Sequence, residues 1–310
     1  MPSIDTARFE ELLDLFRVDP GERFDLADHD PGWEGDEELP KKDRKDLAEE
    51  LLEDGIEALA ESQELLWASD RWSVLVVLQA MDAAGKDSTI KHVLSGVNPQ
   101  GCRVVSFKQP SAEELDHDFL WRCAVALPRR GEIGIFNRSY YEEVLVVRVH
   151  PAFLAAQRLP GFEGTGDPGA AFWADRYESI NAFERHLVRN GTLVVKFFLN
   201  VSWEEQRERF LERLDRPEKH WKFNAADVAV RRRWQDYRHA YQQAIAATST
   251  AWAPWYVVPA DHKWVTRAVV AQVMVRRIRE LGLAFPTVPE DEMAALDQAR
   301  RELLAEKKPG

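Results

Sequence analysis

Cysteine is scarce in this chain, and long apolar runs are missing altogether. Two cysteines in 310 residues, Cys102 and Cys123, form neither a close pair nor a disulfide framework, and no histidines accompany them at zinc-ligand spacing. That excludes a stapled secreted domain and a zinc module, and it points to a reducing cytoplasm. No apolar segment reaches membrane-spanning length, and no basic, apolar leader opens the chain. The expected protein is therefore soluble and cytoplasmic, with no membrane partner. Internal repeats, low-complexity tracts and any Ser/His/Asp or Cys/His catalytic constellation are also lacking.

A basic surplus is absent as well. The formal net charge is −12, which argues against a nucleic-acid partner because like charges repel. The distribution matters more than the sum. Residues 1–70 carry 23 acidic and 7 basic side chains, against 30 and 34 in the remainder, so an acidic front of −16 precedes a body of +4. The plain reading of that front is a solvated, largely helical extension.

What is present is apolar content of 45% with 11 tryptophans, enough for a large core. Leucines and alanines recur at helical spacing from about Lys41 to Trp67. Ser73–Gln79 is a short run rich in Val and Leu, the pattern of a parallel strand covered on both faces. The alternation continues with strand Arg103–Phe107, helix Ala112–Leu127 and strand Glu132–Phe136. Strand Thr192–Asn200, helix Trp203–Leu214 and strand Trp255–Val258 follow, then a last helix. Such alternation predicts an α/β fold, a parallel sheet wrapped by helices.

After the first strand comes Met81-Asp82-Ala83-Ala84-Gly85-Lys86. In a P-loop, backbone N–H groups wrap a phosphate chain and a lysine neutralises it; here Ala80 and Asp87 replace two of the pattern's positions. The turn follows a buried-type strand and opens a helix, whose unpaired N–H groups favour an anion. The alternative is an ordinary strand–helix turn. Asp82 would repel phosphate unless a divalent cation lay between them, so it is read as a metal ligand, with a turn or capping aspartate as the alternative. Asp87 carries the same ambiguity.

Phe136-Asn137-Arg138-Ser139 places polar groups at the carboxyl edge of the sheet, where α/β sites open. Asn137 stands where many P-loop enzymes have aspartate, so metal binding is expected to lean on Asp82, Asn137 and Glu142 or Glu143. Arg138 suits phosphoryl oxygens. A third element is the basic series Arg207, Arg209, Arg213, Arg216, Lys219, Lys222 and Arg231-Arg232-Arg233, broken by Pro217. It reads either as a mobile lid over phosphates or as a solvated helix whose arginines pair with Glu204, Glu205, Glu208 and Glu212.

Asp82-Ala83-Ala84-Gly85-Lys86-Asp87, Ser106-Phe107-Lys108-Gln109-Pro110-Ser111, Phe136-Asn137-Arg138-Ser139 and Lys219-His220-Trp221-Lys222-Phe223-Asn224 together resemble the polyphosphate kinase 2 family. The resemblance runs from about residue 70 to Leu281. It implies a thymidylate-kinase-like P-loop kinase fold, a three-layer sandwich with a parallel sheet and helical lid. The division implied is an acidic extension over 1–70, a phosphotransferase domain over 71–285 with a lid at about 207–235, and a tail over 286–310.

The implied activity is reversible, magnesium-dependent transfer of phosphoryl groups from inorganic polyphosphate to AMP or ADP, with ATP as a product and manganese as a substitute ion. The class acting on both AMP and ADP is the nearest in motif, and a homo-oligomer, dimer or tetramer, is implied. Asp82, Lys86 and Arg138 would be catalytic. Ala83, Ala84, Gly85, Lys86, Asp87, Ser88, Thr89, Lys108 and Arg122 would bind phosphate or nucleotide, and Arg209, Arg213, Lys219 and Lys222 would be the lid cations. The competing readings are an ATP-dependent nucleoside monophosphate kinase and a non-catalytic nucleotide-binding module.

Overall fold

The computed structural model describes residues 12–306, apart from 36, 163, 165, 223 and 224. Its strands are β1 (Arg17–Val18), β2 (Ser73–Ala80), β3 (Cys102–Ser106), β4 (Ile133–Asn137), β5 (Thr192–Asn200) and β6 (Trp255–Pro259). They lie in the order β1-β6-β5-β2-β4-β3, all parallel except the two-residue β1. The helices around them are α1 (Lys41–Ser69), α2 (Lys86–Val93), α3 (Ala170–Arg189), α4 (Trp203–Asp215), α5 (Ala225–Arg231), α6 (Trp234–Thr248), α7 (Lys263–Arg279) and α8 (Glu290–Ala305), with shorter turns between.

β2 is buried at every position, as its continuous Val/Leu run predicts for a strand covered on both faces. Helices α1, α2 and α7 make one covering layer, and α3 and α6 the other. From β2 the chain passes to β3 and returns to β4 on one side, then crosses to β5 on the other. The crevice at such a switch point lies outside the carboxyl ends of the central strands. Leu78 is in register with Asn137 and Ala80 with Leu199, so the turn after β2 sits between the ends of β4 and β5.

The described part of the acidic front, from residue 12 on, packs on this body and is not only a solvated extension. Leu13, Phe16, Val18 and Leu26 are buried in the main core, and Phe16 accepts from the Val257 N–H at 2.7 Å. His29 and Pro31 carbonyls take the Asn200 amide (2.8 Å) and the Asp261 N–H (3.1 Å). Helix α1 packs along α7 closely enough that a Cβ on Gly55 would come within 3.0 Å of Ala271. Burying Leu59 and Leu66 there contributes roughly 1.5–3 kcal/mol each. The acidic side chains of α1 occupy its outer face, so one helix is both solvated and core-forming.

The helix predicted over Ala112–Leu127 is two short turns, Ala112–Asp116 and Trp121–Ala124. Ser111 and Glu114 form a capping box that starts the first. His117 is extended, and Asp118 accepts from the Leu120 N–H at 2.9 Å, which starts a new turn.

Candidate active site

Between β2 and α2 the chain turns through two left-handed residues, Ala83 (φ 62°) and Gly85 (φ 108°). A side chain at Gly85 would be strained at that φ, and Ala83 bears such strain already, a cost of about 1–3 kcal/mol that clusters at functional sites. Lys86 folds back over the loop, donating to the carbonyls of Ala80 (2.8 Å) and Met81 (3.4 Å). Burial, aided by repulsion from Arg138, lowers its ammonium pKa to about 8, against the pull of Asp82, Glu142 and Asp87.

At the end of β4, Arg138 is also left-handed (φ 66°) and is tied through its N–H to Leu78 O at 3.1 Å. Its guanidinium donates to Asp82 Oδ1 at 2.9 Å and lies 3.7 Å from Glu142 Oε2. Burial opposes the Arg138 charge, but Glu142 and Asp82 outweigh it and hold its pKa above the ordinary value. Glu142 is half-buried and its pKa is raised by that burial, although Arg138 and Lys86 pull the other way. Asn137 donates its amide to Asp87 Oδ1 at 2.7 Å, fixing that carboxylate in the first turn of α2.

This turn rests on a buried polar network. Tyr140 and Tyr141 both donate to Glu184 Oε1 at 2.9 Å. Lys196, wholly buried on β5, donates to Glu184 Oε2 (2.6 Å), Tyr141 Oη (3.0 Å) and Thr248 O (2.7 Å). All three ammonium protons are used, so the charge pair is both matched and hydrogen-bonded, as a buried pair must be.

Two cavities meet at this floor. The larger, about 730 Å³, lies over the loop under the 212–221 segment. It is lined by seven cations, Lys86, Lys108, Arg138, Arg209, Arg213, Lys219 and Lys263, against the carboxylates of Asp82, Asp87 and Glu212. The smaller, about 360 Å³, is walled by Met81, Phe153, Val230, Trp234, Tyr237 and Tyr241, with Glu142, His150, Gln206 and Arg231 among its polar groups. Asp82 and Arg138 line both cavities.

Asp82, Ala83, Ala84, Gly85, Lys86, Asp87, Ser88, Lys108, Asn137, Arg138, Arg209, Arg213 and Lys219 thus come together around one space. Three expectations need correction, those for Thr89, Arg122 and Arg209. Thr89 is buried beneath the loop and lines neither cavity. Arg122 is buried behind it, donating to Lys108 O at 2.8 Å and stacking 5.0 Å from the Phe107 ring, so it positions the 106–109 segment.

Of the expected metal ligands, Glu142 lines the smaller cavity, Asn137 the larger and Asp82 both. Arg209 is no lid cation: it is buried, and its guanidinium donates to Glu205 (2.6 Å) and to the carbonyls of Ala83 (3.1 Å), Ala84 (2.8 Å), Ala260 (2.6 Å) and Asp261 (3.0 Å). Five N–H donors meet five acceptors, which makes it a clamp on the loop.

The Lys222 side chain and residues Phe223 and Asn224 lie outside the described residues. Lys219 is paired with Glu212 at 2.7 Å. Lys263 is a cation the sequence reading did not single out; it opens α7 just beyond β6, and its place at the carboxyl edge of a strand was the available signal. No cluster of three or more metal-ligating side chains occurs among the described residues. A carboxylate set of Asp82 and Glu142 suits magnesium, which keeps several waters and takes one or two protein carboxylates plus substrate phosphates. No described helix is long and apolar enough to cross a membrane.

The sequence profile of the family Polyphosphate kinase 2 (PPK2) matches residues 41–283, which takes in helix α1 as well as the span from about residue 70 seen in the motifs. The chain is 50% identical over 293 residues to an ADP-polyphosphate phosphotransferase of Rhodopseudomonas palustris, covering 93% of this chain and 97% of that one. It is 45% identical over 271 residues to an AMP/ADP-polyphosphate phosphotransferase of Meiothermus ruber, covering 87% and 94%. The crystal structure of Polyphosphate Kinase 2 from Arthrobacter aurescens superposes with a TM-score of 0.79 at 38% identity, over 92% of this chain and 96% of that one.

Proposed function

The chain belongs to the polyphosphate kinase 2 family, and from that premise we propose that it moves a phosphoryl group between inorganic polyphosphate in the larger cavity and AMP or ADP in the smaller. The observation that carries this reading is the position of Asp82 and Arg138, shared by both cavities. A group in transit between the two must pass them.

The larger cavity has the electrostatics of a polyanion site, with cations from the loop, the 106–109 segment, α4, α7 and the turn after α4. The smaller combines aromatic walls with a few polar groups, as a nucleoside site requires. The bond between the terminal phosphoryl group and the polyphosphate chain breaks. A new bond forms to an ionised phosphate oxygen of the nucleotide, and the shortened chain leaves with the bridging oxygen. That acceptor oxygen carries no proton, so no general base is needed, and catalysis reduces to in-line positioning and charge neutralisation.

Lys86 and the N–H groups of Ala83 and Gly85 hold donor phosphates, and Arg138 faces the transferring group. Asp82, with Glu142 beside it, would hold a magnesium ion, which supplies further neutralisation of phosphate charge. Arg213, Lys219 and Lys263 hold the rest of the donor chain.

The test is an assay with ADP or AMP, polyphosphate and magnesium, and no ATP. Formation of ATP from ADP, or ADP from AMP, is expected. Dependence on ATP as donor would replace this reading with a nucleoside monophosphate kinase, and no turnover of the folded protein with either donor would leave a binding module.

A further inference from the structure

We propose that Gln206 is a positioning residue through which occupancy of the smaller cavity is transmitted to the phosphate-binding loop. The inference rests on the reading of the two cavities as acceptor and donor sites.

Gln206 and Arg209 stand three residues apart on α4 and share a face. Together they take three successive loop carbonyls. Gln206 Nε2 donates to Asp82 O at 2.9 Å, and Arg209 Nη1 donates to Ala83 O and Ala84 O. In a trans peptide the C=O and the following N–H point in opposite directions, and the described chain has no cis bonds. Holding these carbonyls on the α4 side therefore turns the N–H groups of Ala83, Ala84 and Gly85 away from α4. Of these, the Ala84 N–H also donates to Met81 O at 3.4 Å, so those of Ala83 and Gly85 are the ones offered to an anion.

The two side chains differ in their other attachments. The remaining donors of Arg209 go to Glu205 on the same helix and to Ala260 and Asp261 just after β6. Gln206 Oε1 instead accepts from Arg231 Nη1 at 2.8 Å. Arg231 ends α5, in the basic segment, and its guanidinium lies 3.4 Å from the Trp203 ring centroid. Its Nη2 is buried with no hydrogen-bond partner among the described residues, and the residue lines the smaller cavity. A buried, unpaired N–H is costly. A phosphate or carbonyl oxygen of a nucleotide would satisfy it once the guanidinium turns towards the cavity that the residue lines.

A continuous path results: nucleotide to Arg231, Arg231 to Gln206, Gln206 to the Asp82 carbonyl. Gln206 is 3% exposed, so water does not compete for either end of its amide. An amide is suited to the position because one end accepts and the other donates. Glutamate could accept from Arg231 but could not donate to Asp82 O, and leucine could do neither. By linkage, a nucleotide that fixes Arg231 tightens the loop for polyphosphate, and polyphosphate tightens the site for nucleotide by the same factor.

The experiment measures the dissociation constant of ADP, in the presence of magnesium, with and without saturating imidotriphosphate, whose bridging nitrogens resist transfer. In the wild-type protein the constant should fall about fivefold or more when the analogue is present. In Gln206→Leu, in Gln206→Glu and in Arg231→Met the ratio should collapse towards one, with circular dichroism showing that Arg231→Met keeps its fold, and Gln206→Asn should not restore it. Arg231→Met carries the test if the buried Gln206 variants fail to fold. A ratio near one in the wild-type protein, or a wild-type ratio retained in Arg231→Met, overturns the proposal. Failure of the wild-type enzyme to use polyphosphate at all would overturn the reading of the cavities instead, and the separate turnover assay reports that outcome.

Discussion

At the floor of the site Arg138, Asp82 and Glu142 are partly buried and backed by a wholly buried ion pair, whereas the ion pairs described between residues 212 and 236 lie in solvent. Arg138 sits between Asp82 and Glu142, and the turn that carries it stands on the wholly buried Lys196–Glu184 pair. On the lid side, Glu212 is shared by Arg216 and Lys219, and Arg233 pairs with Asp236, all at least partly exposed. Pairs of the first kind fix geometry, and removing one partner is costly. Pairs of the second kind are worth little and exchange readily with another anion. In the proposed reaction the floor would fix the one in-line transfer, and the segment over 212–221 would serve as a lid gripping a donor whose length varies.

The comparison is broken most severely at the floor. Lys86→Ala should lower kcat/KM by about 10³-fold, the scale seen when one preorganised donor to a developing charge is removed, while circular dichroism shows an intact fold. Next comes Arg209→Ala, which leaves four carbonyls without their donor. It should destabilise the protein by about 3 kcal/mol in denaturant melts, since each unsatisfied buried group costs about 1–3 kcal/mol, and Arg209→Lys, with three donors for five acceptors, should not restore it. If Arg209→Ala is as stable as the wild type, the clamp is not one.

At the lid, Arg213→Ala combined with Lys219→Ala should raise the KM for polyphosphate, leave the KM for ADP unchanged and flatten the salt dependence of the former. Exposed charges are screened over about 8–10 Å near physiological ionic strength. The smallest effect is that of pH. With the Lys86 pKa near 8 the ammonium is charged below that value and lost above it. The kcat/KM for polyphosphate should therefore fall as pH rises through about 8, while kcat holds further, because bound phosphate restores the charge. A flat profile of kcat/KM between pH 7 and 9 would remove Lys86 from the donor site.

The contrast also explains what could be seen in the sequence. The loop was legible because its parts are contiguous: a buried strand, a turn with Gly85 and a helix opening at Lys86. Arg209 was misread because a clamp and a lid cation are the same residue in a helical repeat of Glu and Arg. Only the approach of residues 83–84 and 260–261 distinguishes them. The acidic front was read as solvated because charge on the outer face of α1 outweighs its sparse inner stripe, and because Phe16 finds its partner, the N–H of Val257, far along the chain. Lys263 and the polar wall of the smaller cavity likewise depend on tertiary approach and carry no local motif.

The most direct test of the division between floor and lid is the rate of phosphoryl transfer in a single turnover, with enzyme saturated by both polyphosphate and ADP. Arg138→Ala should slow that step by about 10³-fold or more, as removal of an arginine from a transferring phosphoryl group does. The Arg213→Ala, Lys219→Ala pair should leave it near the wild-type rate once saturation is reached. Equal slowing in the two variants, or a fast Arg138→Ala enzyme, would contradict the account.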